Sequence, residues 1–483
     1  MHIRKKLFSI LSILAMAIVA LFGDLFPGHS LIEPESARET DDVLTIWYTD
    51  AYLEEYIRNA AVVYEEKTGV KVVSTKVSGL EYLEQIQKAT IDDGYGPDLF
   101  VLGSESLEKA YLSGLCYELK DSHRVLNSTY FPEVSLDAIS YSDYKLGYPL
   151  LFECSIFVYN KTLLDQIVDT YNENQVNATS NYGEGSTEEE DVVIADATPT
   201  EFVPVIAEEI LPTSIVEITN FALKYNLPEG CESYFKWCVS DVLYDYWFAG
   251  AYLDVGGEKG DIRDEINVYN EESMYCLNVF QDFKEFFSMD LDKYTYDDLL
   301  RDFEAGKILF ISADTNIINK LEADKKIEEN PFAYEYGITS IGMLNDTLKS
   351  KGLSVTKIVS VNGLSENKEL AEDFAKFMSV DYSSNLYSRT GKLACNYQKE
   401  YQYPQMEDAV RTYENSVSLP KIVETSNYWV LCEMVYTKAW DGEDVNKLLK
   451  QLSGQVKKQI FGIYVEENYI ETPVVSEDYV FDE

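Results

Sequence analysis

The side chains of this sequence that can do chemistry in numbers are carboxylates and aromatic rings. Asp and Glu total 84 and Tyr 37, against three His. His2 and His29 lie close to the N-terminus, so His123 alone is left for acid–base or metal work. The motifs GxSxG and HExxH and the phosphate loop are missing from the sequence. Paired carboxylates can hydrolyse glycosides, but so many acidic residues make some pairing inevitable, and that signal is nonspecific. The other chemistry open to these side chains is recognition. An ionised carboxylate accepts hydroxyl hydrogens, often two at once, and an aromatic face covers apolar C–H surface.

The elements that must position them follow a strand–helix rhythm. Val43–Tyr48 reads as an apolar strand. Residues 52–67 read as a helix whose inner face carries Tyr52, Tyr56, Ala60, Val63 and Tyr64, close to the 3.6-residue period, with Gly69 as its stop. Val-rich 70–77 is a strand, 80–91 a helix, and 98–102 a strand after the break at Pro97. Strands alternating with helices predict a mainly parallel sheet, whose ligands sit beyond the carboxyl ends of the strands. Those ends are Trp47-Tyr48-Thr49-Asp50 and Leu102-Gly103-Ser104-Glu105. Helical patterning is expected over 212–287, strands at 337–343 and 355–361, an amphipathic helix at 367–378, and helices again within 425–465.

Several segments occur in a telling order: Leu44-Thr45-Ile46-Trp47, Lys67-Thr68-Gly69-Val70, Gly96-Pro97-Asp98-Leu99-Phe100, Tyr148-Pro149 followed by Glu153 and Tyr159-Asn160-Lys161, Phe303-Glu304-Ala305-Gly306-Lys307, and Tyr387-Ser388-Arg389-Thr390-Gly391. Together they resemble the extracellular solute-binding proteins of bacterial ABC importers, in particular the maltodextrin-binding branch, over about 43–168 and 212–465. The resemblance implies an α/β, two-lobed periplasmic-binding-protein-like fold of type II. Each lobe would be a mainly parallel sheet flanked by helices, with a cleft between them. Lobe 1 would take 43–148 plus 338–388, and lobe 2 would take 150–336 plus 390–465. It also implies a small-molecule solute, a sugar or oligosaccharide, with ABC permease subunits as partners, no cofactor, no catalysis and a monomeric state.

The same resemblance assigns ligand-binding residues. Trp47 and Asp50 fall at the first strand–helix turn of the cleft, with core packing the competing role for Trp47. Glu105 and Glu153 fall where that branch has sugar-binding carboxylates. The alternatives are an exposed loop carboxylate for Glu105 and a salt-bridged hinge residue for Glu153. Trp247 lies in an aromatic-glycine cluster and Trp429 on a C-terminal helix, where stacking on ligand competes with burial. Asn316 occupies the place where the family commonly has a sugar-stacking Trp, a departure from the maltodextrin pattern. No metal site is expected.

The rest of the chain sets bounds. At 483 residues two lobes are expected, and a net charge of −44 makes nucleic acid and anionic lipid poor partners. Residues 1–30 read as an export signal or an uncleaved membrane anchor: Arg4, Lys5 and Lys6 precede 16 apolar or small residues, Leu7–Phe22. Residues 31–42 form a polar linker. The first Cys is Cys116, so the lipid-attachment Cys usual in Gram-positive members of the family is missing. The seven Cys show no CxxC and predict no essential disulfide framework. Thirteen acidic residues and no Lys or Arg between Thr162 and Leu223 predict a disordered acidic insertion over 170–208. Residues 466–483 read as an acidic tail. The protein is expected outside the cell, tethered to the outer face of the membrane. A tethered sensor or scaffold of the same fold and, less favoured, a secreted carbohydrate-active hydrolase are the alternatives.

Overall fold

The computed structural model describes residues 43–92, 94–181, 203–287 and 294–474. The expected export segment and linker lie outside these residues, as do 182–202 of the expected acidic insertion and the last nine residues of the expected tail.

Ten strands build one sheet. In chain order they are β1 (Val43–Tyr48), β2 (Lys71–Lys76), β3 (Leu99–Gly103), β4 (Tyr148–Asn160), β5 (Ser233–Lys236), β6 (Ile308–Asp314), β7 (Tyr336–Thr339), β8 (Leu353–Val361), β9 (Leu393–Ala394) and β10 (Val417–Ser418). The main path runs β2-β1-β3-β8-β4-β6-β5; β7 and β9 pair with β4, and β10 pairs with β8. The outer pairs β1–β2, β1–β3 and β5–β6 are parallel, as strand–helix alternation requires. β4 and β8 run antiparallel to their main-path neighbours, because they carry the chain back and forth between the two halves.

β4 is the joint. Its residues up to Cys154 pair with β8, and those from Ser155 onward pair with β6. Such a strand is covered on both faces, which explains its near-continuous apolar run. Only Glu153 and Tyr159 in it are not buried.

Two cores flank the sheet. The first gathers β1–β3, the helix Leu53–Thr68 through Leu53, Tyr56, Ile57, Ala60 and Tyr64, and the helix Lys368–Lys376 through Ala371 and Phe374. The second gathers β5 and the helices Ile215–Lys224, Glu271–Phe287, Tyr428–Trp440 and Val445–Phe461. The expected boundary at 150–336 is not a clean cut, since Leu299, Phe303, Ile317 and Leu321 pack into the first core.

Two expectations are corrected. The acidic insertion is ordered at both margins: the helix Lys161–Asn181 runs through 170–181, and the Asn172 side chain exchanges hydrogen bonds with the backbone of Val205 at 2.9 and 3.0 Å. An amphipathic helix needs only one apolar face, and Leu163, Leu164 and Ile167 supply it to the second core. The helical patterning of 212–287 is interrupted by β5 and by a small hairpin, Asp254–Val255 with Ile266–Asn267. Short apolar runs do not distinguish helix from strand by period alone.

Candidate functional site

β3 pairs with β8, β1 lies on the far side of β3, and that order assembles the first half of the site. Lys357 on β8 lies opposite Gly103 of β3 and Leu151 of β4, and Val355 lies opposite Glu153. Side chains alternate along a strand, so Lys357 and Glu153 share one face. Asp50, two residues past β1, meets the Lys357 ammonium at 3.1 Å and accepts from the Thr49 hydroxyl at 3.4 Å. Glu153 meets the Lys392 ammonium at 2.5 Å. The Lys392 Nζ lies 4.9 Å from the centroid of the Tyr52 ring. Burial, then the charges of Asp50 and Glu153, hold the Tyr52 hydroxyl far above its ordinary range, so Tyr52 is neutral and stands beside both carboxylates.

Glu105 sits in the turn Ser104–Ser106 directly after β3 and folds back over Gly103. A β-carbon on Gly103 would collide with its carboxylate, so the glycine makes the room. Ser106 donates to Glu105 at 3.5 Å. Trp47 is half-buried against the first core, and its carbonyl accepts from the Tyr82 hydroxyl at 2.9 Å.

The second half of the site gathers at the carboxyl end of β6. Asp314 ends that strand opposite Ser155 of β4. It accepts from the Tyr244 hydroxyl at 3.1 Å and from the Asn316 backbone N–H at 2.7 Å, and its own N–H donates to the Tyr296 hydroxyl at 3.3 Å. Tyr244 and Tyr296 stack with centroids 4.9 Å apart and planes 12° from parallel. Burial, then Tyr296 and Asp314, push the Tyr244 hydroxyl strongly upward. The Thr315 N–H donates to the Cys154 carbonyl at 3.2 Å, which ties this corner to the residue beside Glu153. The two clusters therefore meet at positions 153–155 of β4, where the strand changes partners.

Asp50, Glu105, Glu153 and Asn316 are all placed in this arrangement, with Trp47 on its margin. Trp247 is not. It is 6% exposed in the second core and lines a small apolar void of about 20 Å³ with Phe248 and Ser312. A β-carbon on Gly352 would come within 3.2 Å of its ring, so the packing role fits this side chain. Trp429 is half-buried on the helix Tyr428–Trp440 and packs on the second core, outside the bonds that build the clusters. Lys357, Lys392, Tyr52, Asp314, Tyr244 and Tyr296 were not singled out from sequence as site residues. Only Asp314, which ends its strand, carries a local signal of the kind used for Asp50; Tyr52 stands at the start of the following helix.

A separate cavity of about 470 Å³ opens between the two cores, lined by Glu133 and Asp137 from one side, Tyr246, Asp254 and Glu258 from the other, and Lys421. None of the seven predicted ligand residues lines it. Burial, with Glu133 and Glu258 adding to it, pushes the Asp137 carboxyl up to about 6. Burial pulls the Lys421 ammonium down to about 8; it donates to the carbonyls of Asp137 at 2.5 Å and Ser140 at 2.7 Å. The strand-end clusters lie at the carboxyl ends of β1, β3 and β6, the ends at which α/β sheets hold their ligands.

No family model matches the chain. Solved structures do. An extracellular solute-binding protein from Staphylococcus aureus in complex with maltose aligns at a TM-score of 0.67 and 17% identity, covering 88% of this chain and 99% of that one. A cyclo/maltodextrin-binding protein complexed with maltotetraose aligns at 0.66 and 16% identity, covering 89% and 100%. The maltose-maltodextrin binding protein of the thermoacidophilic bacterium Alicyclobacillus acidocaldarius aligns at 0.60 and 14% identity, covering 86% and 100%. A likeness this broad over nearly the whole of each chain identifies the architecture: the protein has the two-lobed, type II periplasmic-binding-protein-like α/β fold.

Proposed function

We propose that this protein is an exported solute-binding protein that captures a neutral carbohydrate between its lobes and presents it to an ABC permease. The observation that carries the reading is the meeting of two polar–aromatic clusters, one from each half, on either side of β4 at 153–155. Asp50, Glu105, Glu153 and Asp314 offer acceptors for sugar hydroxyls, and Trp47 and Tyr52 offer apolar faces. A ligand held by both halves favours the closed arrangement by its differential contacts, without covalent chemistry. The similarity of the fold to proteins holding maltose and maltotetraose supports a sugar. Binding without turnover, a monomeric state, export and tethering to the outer face of the cytoplasmic membrane belong to the same proposal.

Titration calorimetry with maltose and maltotetraose tests it. Glu153→Ala is expected to weaken binding at least about tenfold, or ~1.4 kcal/mol, with the fold retained because the side chain is part-exposed. Unchanged affinity in that variant would remove Glu153 from the site. Hydrolysis of either sugar would overturn the non-enzymic reading.

A further inference from the structure

Net charge −44 creates a difficulty for a cleft built on carboxylates. Asp50 and Glu153 stand beside Tyr52, and Glu105 folds over Gly103, which lies opposite Lys357; carboxylates in such a half-buried, weakly screened setting attract any amine that the acidic surface draws in. Two lysines intervene. Lys357 projects from β8 onto Asp50 at 3.1 Å, and Lys392 projects from the turn before β9 onto Glu153 at 2.5 Å.

Neither resembles a casual surface pair. The Lys392 side chain is 14% exposed and that of Lys357 25%. Lys392 is also seated on the Tyr52 ring, and the preceding Gly391 has φ of 70°, a left-handed turn that aims the next side chain while its open face lies against the Asn319 amide. The ammonium groups cancel two of the three carboxylate charges but leave oxygen lone pairs free to accept from neutral hydroxyls.

We infer that Lys357 and Lys392 are the specificity-determining residues of the cleft: they occupy its carboxylates with fixed internal cations, so that the site takes uncharged polyhydroxylated ligands and turns away amino sugars and polyamines. The inference rests on the ligand-capture reading above and names the class of molecule that this reading excludes.

The test is calorimetric binding of maltose, the glucosamine dimer and spermidine to the full chain at pH 8, in the wild type and in Lys357→Met, Lys392→Met and Lys392→Arg. Met keeps an unbranched apolar stem and removes the charge that sits over the Tyr52 ring. Each Lys→Met variant is expected to shift the ratio of amine to maltose affinity about tenfold toward the amine. Lys392→Arg is expected to restore the wild-type ratio, which a merely structural loss would not do. A ratio unchanged within about twofold in both Met variants overturns the inference while leaving maltose capture intact. The capture reading fails separately if the wild type binds no maltose; a gain of spermidine binding in the Met variants would still uphold the lysines' role. If one Met variant does not fold, as judged by circular dichroism, the other carries the same comparison.

Discussion

Asp137 stands beside Glu133 on its own helix and faces Glu258 across the cavity, with Lys421 and Lys259 opposing these charges only in part. Its carboxyl stands at about 6 in the fold, against about 4 in an unfolded chain. Below pH 4 it is protonated in both states and costs nothing. Between 4 and 6 the unfolded chain releases the proton first, so stability falls as pH rises, and the whole cost is present above 6. Asp137→Asn is therefore expected to stabilise the protein by about 1–2 kcal/mol at pH 7.5, discounted for partial exposure, and not at pH 4. Urea melts at the two pH values check this, and an equal effect at both would overturn it. Glu153 and Asp50 could be singled out in the sequence because each belongs to a contiguous segment. Lys357 and Lys392 could not, because a lysine carries no local mark of the carboxylate it meets, and both partners lie far along the chain. For Trp247 the sequence left stacking and burial open; its ring is buried in the second core and borders the same small void as Tyr244.

At the scale of elements, local signals were strong where one residue type had one job. Val43–Tyr48 was expected and found residue for residue, and the first helix ends where expected, at Gly69 with φ of 77°. The long joint strand was harder to read, since an unbroken apolar run fits a buried strand or a buried helix segment. A related position allows a direct test. Gly391 caps the helix Leu386–Thr390 in a left-handed conformation, and a β-carbon there would meet the Asn319 amide at 2.7 Å. Gly391→Ala is expected to cost about 1–2 kcal/mol in unfolding experiments. It should also shift amine-to-maltose selectivity in the same direction as Lys392→Met, because it displaces that ammonium. Wild-type stability and selectivity together would show that the turn does not set the Lys392 position.

For the whole molecule, self-repulsion among an excess of 44 negative charges opposes the compact state. Raising NaCl from 10 to 200 mM shortens the screening length from about 30 Å to below 8 Å. The melting temperature is expected to rise by about 2–4 °C, read by calorimetry, and a flat or falling trend would mean that favourable ion pairs such as Glu153–Lys392 outweigh the repulsion. The two-lobed plan was legible from the order of its segments. The single shared sheet was not, because pairing between remote strands leaves no local trace. That sheet also dictates an order of events. β8 fills the gap between β3 and β4, and Val359 pairs with Val101, 258 positions earlier in the chain. No N-terminal fragment that stops short of residue 353 can close the first half. A growing chain must hold that half unfinished until most of the second has been made, and such non-local closure is slow. Under the export proposed above, this slow closure would prolong the interval in which the chain is still unfolded enough to be threaded.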